Sequence, residues 1–395
     1  MLIDKITARK ILNSRGQETI EATIRAGRTS FSASVPAGVS DGKYEAVSLP
    51  AEQARQNIEN IIGPTLSGKA FATQEQIDRL LISLDKSSHL GANAILAVSV
   101  AYWRALNEKN YGLSSGTSSD RAFAGLPRLC FNVLEGGAHT KGQLDVQEFM
   151  AIPDCGSVKA NLKAGKKVYK ALSKILQKEF GKQGAIRGDE GGFAAPVKTI
   201  IEALDYLMKA INEANLKGRT QIGLDIAGSE FYQNGKYNFD GALRTAQEMT
   251  EIYQDITNKY PILFIEDPFD QDDLQAWQYF ISRSSQFGSP IIVGDDLTTT
   301  NPSRIQQARQ NQLCNAVVIK PNQIGTVSQA IEAAKLAKSF GWKIMVSHRG
   351  GETMDSFIAD LAVLVQADFF KSGAPEPKER MSKYKRLVKL EKNNA

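Results

Sequence analysis

Two periodicities divide the chain. Near the N-terminus polar and apolar residues alternate from Thr19 to Arg25, Gly27 can turn the chain, and Phe31–Val35 resumes the pattern, which predicts antiparallel strands within residues 5–35. Helical spacing follows over Ala51–Ile62 and again over Asn93–Leu106, and between them Thr73 and Gln76 stand at the capping-box spacing that starts a helix. The segment VPAGVSDG (35–42) reads as a loop. Residues 112–126, GLSSGTSSDRAFAGL, hold neither period and are taken as a boundary. The expected organisation is therefore an α+β domain over 1–125 and a second domain over 126–395.

In the second part the pattern changes to short apolar runs, six of which end in an ionisable residue: Asp225, Glu266, Asp295, Lys320, His348 and Lys371. The intervals are 41, 29, 25, 28 and 23 residues. Each is long enough for a strand, a helix and two loops. Parallel strands alternating with helices predict an α/β barrel, and in such barrels chemistry sits where the strands end.

Composition adjusts this picture only slightly. The net charge is +5, and much of the basic excess lies in Lys383, Lys385, Arg386, Lys389 and Lys392. That run is expected to be a solvated terminal helix, so nucleic acid is not an expected partner. Three scattered cysteines, Cys130, Cys155 and Cys314, have no metal or disulfide spacing. No apolar signal core or membrane-length run occurs, so a cytoplasmic protein without membrane attachment is expected.

Three strand-end carboxylates, Asp225, Glu266 and Asp295, would converge on one rim. One alone would as readily cap a helix, but three oxygen ligands from three strands suit Mg²⁺. Lys320 and Lys371 end strands on the same rim. A buried lysine beside another cation and a metal has its ammonium destabilised and can act as a base, and a salt bridge to the carboxylates is the other reading. The string GDEGGF (188–193) puts Asp189 and Glu190 on a loop whose glycines permit close backbone approach. QEFM places Glu148 on a strand, and GGAH ends in His139. The chain has three histidines; His139 and His348 lie beside glycine-rich or strand-end segments, and His89 reads as structural.

Taken together these strings resemble the enolase family. The resemblance runs through ARKILNSRG (8–16), YEA (44–46), LGANAIL (90–96), GGAH…QEFM, GDEGGF, YPILFIEDPF (260–269), VGDDLTTTN (293–301), SHRGGET (347–353) and KSGAP (371–375). It implies a small N-terminal α+β domain followed by a barrel whose first units are irregular. It also implies Mg²⁺-dependent reversible dehydration of 2-phosphoglycerate to phosphoenolpyruvate. By resemblance Asp225, Glu266 and Asp295 hold a first Mg²⁺, and a second arrives with substrate and contacts Ser40. Lys320 matches the base at C2, Glu190 the acid at the C3 hydroxyl with Glu148 beside it, and His139 a mobile closing loop. Arg349 matches the phosphate clamp, His348 a substrate-facing position, and Lys371 a residue near the substrate carboxylate. A Lys base paired with Mg²⁺ is the superfamily's own known pattern. The small phosphorylated carboxylate would be the partner, and a homodimer or octamer is implied, with Arg9, Arg15 and Glu21 in the segment that contributes to the interface.

The departures lie in closure and phosphate binding. Gly350 stands where the family has Ser, which removes a hydroxyl donor worth about 1.5–3 kcal/mol toward a charged group. Asp41 stands in place of Thr beside Ser40, Val47–Pro50 replaces a charged stretch, and the segment after SEFY is short. Two alternatives stay open: related chemistry on another carboxylate, and an enolase-like protein with weak or no activity.

Overall fold

The computed structural model describes residues 1–38, 42–85, 89–107, 125–140 and 144–394. Ser40, Asp41 and the part of the expected boundary from 112 to 124 lie outside these residues.

Strands β1 (Lys5–Leu12), β2 (Glu18–Ala26) and β3 (Thr29–Ser34) form an antiparallel meander in which Ile6 pairs Ile24 and Lys10 pairs Ile20. Ile20, Ala22 and Ile24 point inward, as the alternation predicts. Helix α1 (Ala51–Asn57) continues as a π turn over Ile58–Ile62, so the predicted helix is present with a change of winding. Thr73 caps α2 (Gln74–Leu84) by accepting from Gln76 N, but the Gln76 side chain reaches Ala72 N at 2.8 Å instead of Thr73, so the reciprocal half of the capping box is shifted by one residue. Helix α3 (Ala92–Leu106) is buried along most of its length because the sheet covers one side and the barrel the other.

The barrel is closed by eight strands: β4 (Arg128–Glu135), β5 (Glu148–Pro153), β6 (Thr220–Asp225), β10 (Ile262–Glu266), β11 (Ile291–Gly294), β12 (Ala316–Ile319), β13 (Lys343–Ser347) and β14 (Phe369–Lys371). Between β6 and β10, β7 (Tyr232–Gln233), β8 (Lys236–Phe239) and β9 (Ala242–Arg244) make a small separate sheet, which is where the short segment after SEFY leads. Outer helices are α4 (Val158–Phe180), α5 (Ile200–Glu213), α6 (Ala246–Lys259), α7 (Leu274–Arg283), α8 (Pro302–Gln310), α9 (Val327–Ser339), α10 (Phe357–Leu364) and α11 (Lys378–Asn394).

One strand departs from an all-parallel barrel. β5 pairs antiparallel with both β4 and β6, while the other six pairings are parallel. The reversal puts the first residue of β5 at the rim, where the parallel strands put their last. Glu135, Glu148, Asp225 and Glu266 therefore stand in register on four adjacent strands. Below this carboxylate layer Cys130, Met150, Phe264, Val293, Val318, Met345 and Phe369 fill the barrel. Gly223 admits the Phe264 ring, since a Cβ there would lie 2.2 Å from it.

The C-terminal run is not simply a solvated face. Lys383 and Arg380 on α11 are each 1% exposed. Lys383 pairs with Glu352 at 2.6 Å, and Arg386 with Asp360 at 2.6 Å, while Lys385, Lys389 and Lys392 do remain exposed. Contacts from the N-terminal domain reach the barrel mouth: Arg104 pairs with Asp355 at 2.6 Å, Ala37 and Gly351 exchange two backbone hydrogen bonds, and Asp78 accepts from Ser328 N at 2.9 Å at the start of α9. No described helix is long and apolar enough to cross a membrane.

Candidate active site

A cavity of about 470 Å³ opens at the rim where the strands end. It is lined by Lys320, Glu190, Glu148, His139, Arg349, His348, Gly350, Lys371, Asp225 and Asp295, with Gly42, Lys43 and Glu45 from the N-terminal domain closing one side. Glu266 lies just beneath, fully buried, and reaches the site through Lys371. Ser40 lies outside the described residues.

Lys371 Nζ sits among three carboxylates, 2.7 Å from Glu266, 3.1 Å from Asp225 and 3.2 Å from Glu148. Lys320 pairs closely with Asp295, whose other oxygen accepts from Gln323 Nε2 at 3.1 Å. These contacts correct the expectation of lowered lysine pKa values. Burial pushes both lysines down, but Asp295 for Lys320, and Glu148, Glu266 and Asp225 for Lys371, outweigh it and hold both ammonium groups above their usual range.

The carboxylates carry the opposite strain. Burial and mutual repulsion push Glu148, Glu266 and Asp267 well above the usual carboxylate range, and Asp296 up to about 7. Counting Glu190, Asp225, Glu230 and Asp295 as well, eight carboxyl groups line or underlie the cavity against Lys320 and Lys371, because Arg349 is already neutralised by Glu45 at 2.8 and 3.0 Å and Lys43 by Asp272 at 2.8 Å. His139 Nδ1 is buried without a hydrogen-bond partner among the described residues, and the contact of Glu148 Oε2 is the Lys371 ammonium at 3.2 Å. Such a surplus of hard oxygen donors fits divalent cations, whose binding displaces protons from raised carboxyl groups. Two compact ligand groups occur among the described residues, His139/Glu148/Glu190 and Asp267/Asp295/Asp296. The predicted trio Asp225, Glu266 and Asp295 shares the rim but does not form a third, since Lys371 stands between Asp225 and Glu266.

Glu190 differs from its neighbours. Burial and Glu148 would raise it, but the nearby His348, His139 and Arg380 hold it well below the usual range. His348 Nε2 lies 3.0 Å from Glu190 Oε2, and Asn132 Nδ2 donates to the same oxygen at 3.1 Å. On the other side of the ring Arg380 Nη1 faces His348 Nδ1 at 2.5 Å. Arginine can only donate, so Nδ1 must accept and the remaining ring proton lies on Nε2, which is close to Glu190 but not aligned with it as a hydrogen bond. Burial pushes His348 down to about 4 despite Glu190, and Arg380 adds to the effect. The surroundings thus hold Glu190 toward its ionised form and His348 toward its neutral form and push Glu148 toward protonation, and ligand atoms of Glu148, Glu190 and His139 lie within 4.8 Å of one another.

Several residues here escape sequence reasoning. Glu135 is buried under the GDEGGF loop and accepts from Glu190 N at 3.2 Å and Gly192 N at 2.5 Å. Gly188 and Gly192 are required by it: a Cβ on either would lie 2.0 or 2.7 Å from its oxygens. The signal was present, since Glu135 ends the apolar strand RLCFNVLE as the six marked residues end theirs. Asp267, in the left-handed region at φ 41°, accepts from Asp295 N and Asp296 N at 2.9 and 2.7 Å and fixes the turn that carries Asp295. Arg380 comes from a distant segment and carries no local signal, and the YEA string that holds Glu45 gives no sign of its pairing with Arg349.

Residues 124–395 match the family model described as "Enolase, C-terminal TIM barrel domain", and residues 3–111 match that described as "Enolase, N-terminal domain". With both models matched in order, and with an N-terminal α+β unit seated on a closed eight-stranded barrel, the chain belongs to the enolase family.

Proposed function

We propose that the protein catalyses the reversible, Mg²⁺-dependent dehydration of 2-phosphoglycerate to phosphoenolpyruvate. Family membership and the buried His139/Glu148/Glu190 cluster support a metal-dependent dehydratase, a hydro-lyase, in general terms. The specific reading is carried by one observation: a lysine held against Asp295 and a Glu148–Glu190 carboxyl pair share a single 470 Å³ cavity with Arg349.

Asp225, Glu266 and Asp295 would hold the first Mg²⁺, and Ser40 would contact a second that arrives with substrate. Bound Mg²⁺ supplies charge stabilisation for the doubly negative enolate that proton loss beside a carboxylate creates. Lys320 removes the C2 proton once its ammonium proton has left. The proton for the departing C3 hydroxyl comes from the Glu148–Glu190 pair, whose surroundings push Glu148 toward its protonated form and Glu190 toward its ionised form. Arg349 releases Glu45 and takes the phosphate, since both ligands accept from its planar fork in the same way. Lys371 orients the substrate carboxylate, and His139 closes the cavity from its loop.

A second reading, a different carboxylate substrate, is favoured by Gly350. It has no hydroxyl to offer, and its carbonyl already accepts from Arg380 at 2.6 Å and Ser14 at 3.3 Å. A homodimer through the N-terminal sheet is proposed as well. Arg9 is 73% exposed there beside Glu21, whereas Arg15 pairs within the chain with Asp189 at 3.5 Å. Light scattering on the purified protein tests it, and a monomer mass at micromolar concentration refutes it.

The deciding experiment adds Mg²⁺ and 2-phosphoglycerate to the purified protein and follows the ultraviolet absorbance of the new double bond, with an EDTA control. Metal-dependent product supports the first reading. No product, with Mg²⁺ binding intact, moves the assignment to another carboxylate.

A further inference from the structure

The outer surface of α4 carries a charge pattern that the proposed chemistry does not use. Its 23 residues include seven lysines, Lys159, Lys163, Lys166, Lys167, Lys170, Lys174 and Lys178, and one acidic residue, Glu179. At 100° per residue the seven fall within an arc of about 120°, and they extend over about 28 Å of helix. All seven are exposed. The opposite face, with Val158, Ala164, Val168, Leu172 and Ile175, is buried against the barrel.

This is not the arrangement of an ordinary solvated helix. There, lysines stand three or four residues from glutamates and the pairs support the helix. Here Lys159/Lys163, Lys163/Lys167, Lys166/Lys170, Lys170/Lys174 and Lys174/Lys178 place like charges at that spacing. Each such pair destabilises the helix. None of the seven forms an ion pair with a described residue. Helix α11 packs beside α4, with Glu391 accepting from Val158 N at 2.5 Å and Lys159 N at 3.0 Å, and it adds exposed Lys385, Lys389 and Lys392 to the same side of the molecule.

We infer that this lysine face of α4, extended by α11, binds the phosphate backbone of nucleic acid without sequence preference. A regular polyanion offsets the repulsion that the helix otherwise carries, and release of its counterions drives binding. The face is lysine without arginine, so it supplies point charges for phosphates and lacks the fork that reads guanine edges. No large exposed apolar side chain lies on α4 to dip into lipid or anchor a protein partner. The expectation against nucleic acid rested on the C-terminal run alone, and the stronger cluster lies elsewhere in the chain.

The test is fluorescence anisotropy of a labelled DNA duplex of about 30 base pairs with the full-length protein, across a salt series. If five to seven lysines contact phosphates, log K falls with log salt at a slope of about −4.5 to −6.3. Replacing Lys163, Lys166 and Lys170 by Glu should weaken binding at least about tenfold at 0.1 M salt and make the slope shallower by about three. Replacing exposed Lys5, Lys217 and Lys335 by Glu should leave the affinity within about twofold. Turnover and thermal melting of the α4 variant should match the unaltered protein, which separates loss of binding from loss of fold. Absence of binding at low salt, equal loss in both triple variants, or binding to phosphatidylserine vesicles with none to the duplex would each overturn the inference.

Discussion

Replacing Glu135 by Gln tests whether the GDEGGF loop is held from beneath. The side chain is 1% exposed and is absent from the cavity wall, so the change alters no substrate contact. The carboxylate offers both oxygens to two backbone donors, Glu190 N and Gly192 N. An isosteric amide offers one oxygen and turns an NH₂ toward the other donor. One charge-assisted hydrogen bond is lost, at about 1.5–3 kcal/mol. If the loss is expressed at the loop that carries Glu190, kcat falls about ten- to a hundredfold while KM changes little. Steady-state kinetics gives the split, and hydrogen exchange should show faster exchange over residues 188–193 than over β4. A kcat within twofold of the unaltered protein, with loop protection unchanged, would refute the reasoning.

Three further outcomes follow from the same site. Lys320→Ala should lower turnover by at least about a thousandfold, since it removes the proposed base; Mg²⁺ affinity by calorimetry should hold or tighten because Asp295 loses its ammonium partner, and residual activity near normal would exclude Lys320. Gly350→Ser should lower KM for 2-phosphoglycerate about ten- to a hundredfold if the hydroxyl reaches phosphate, and an unchanged or raised KM would mean another group supplies that contact. His348 is held near 4 against an ordinary 6.5, so its contribution to stability is complete above 6.5 and is lost as pH falls through about 4. The difference in melting temperature between the protein and His348→Gln, which keeps an acceptor for Arg380, should therefore narrow or reverse across that interval; a pH-independent difference would show that His348 does not titrate there.

Much of the architecture is legible in local pattern. The marked residues Asp225, Glu266, Asp295, Lys320, His348 and Lys371 do end or directly follow β6, β10, β11, β12, β13 and β14. Alternation at period two and helical spacing depend on near neighbours, so a single sequence carries them. The glycines of GDEGGF were legible as a permissive loop, but not as the space that Glu135 fills.

What only the tertiary structure decided are the pairings between distant segments. The direction of β5 is not written in its residues, yet it brings Glu148 to the rim beside Asp225. Lys383 belongs to a run that reads as solvated, and it is buried because Glu352 waits at the barrel mouth. Arg349 meets Glu45 across 304 residues, and Lys371 meets Asp225 across 146. The physical reason is common to all of them. Charge and burial at a side chain are set by the groups that chain closure brings within a few ångströms, and those groups come from segments whose own patterns are satisfied independently.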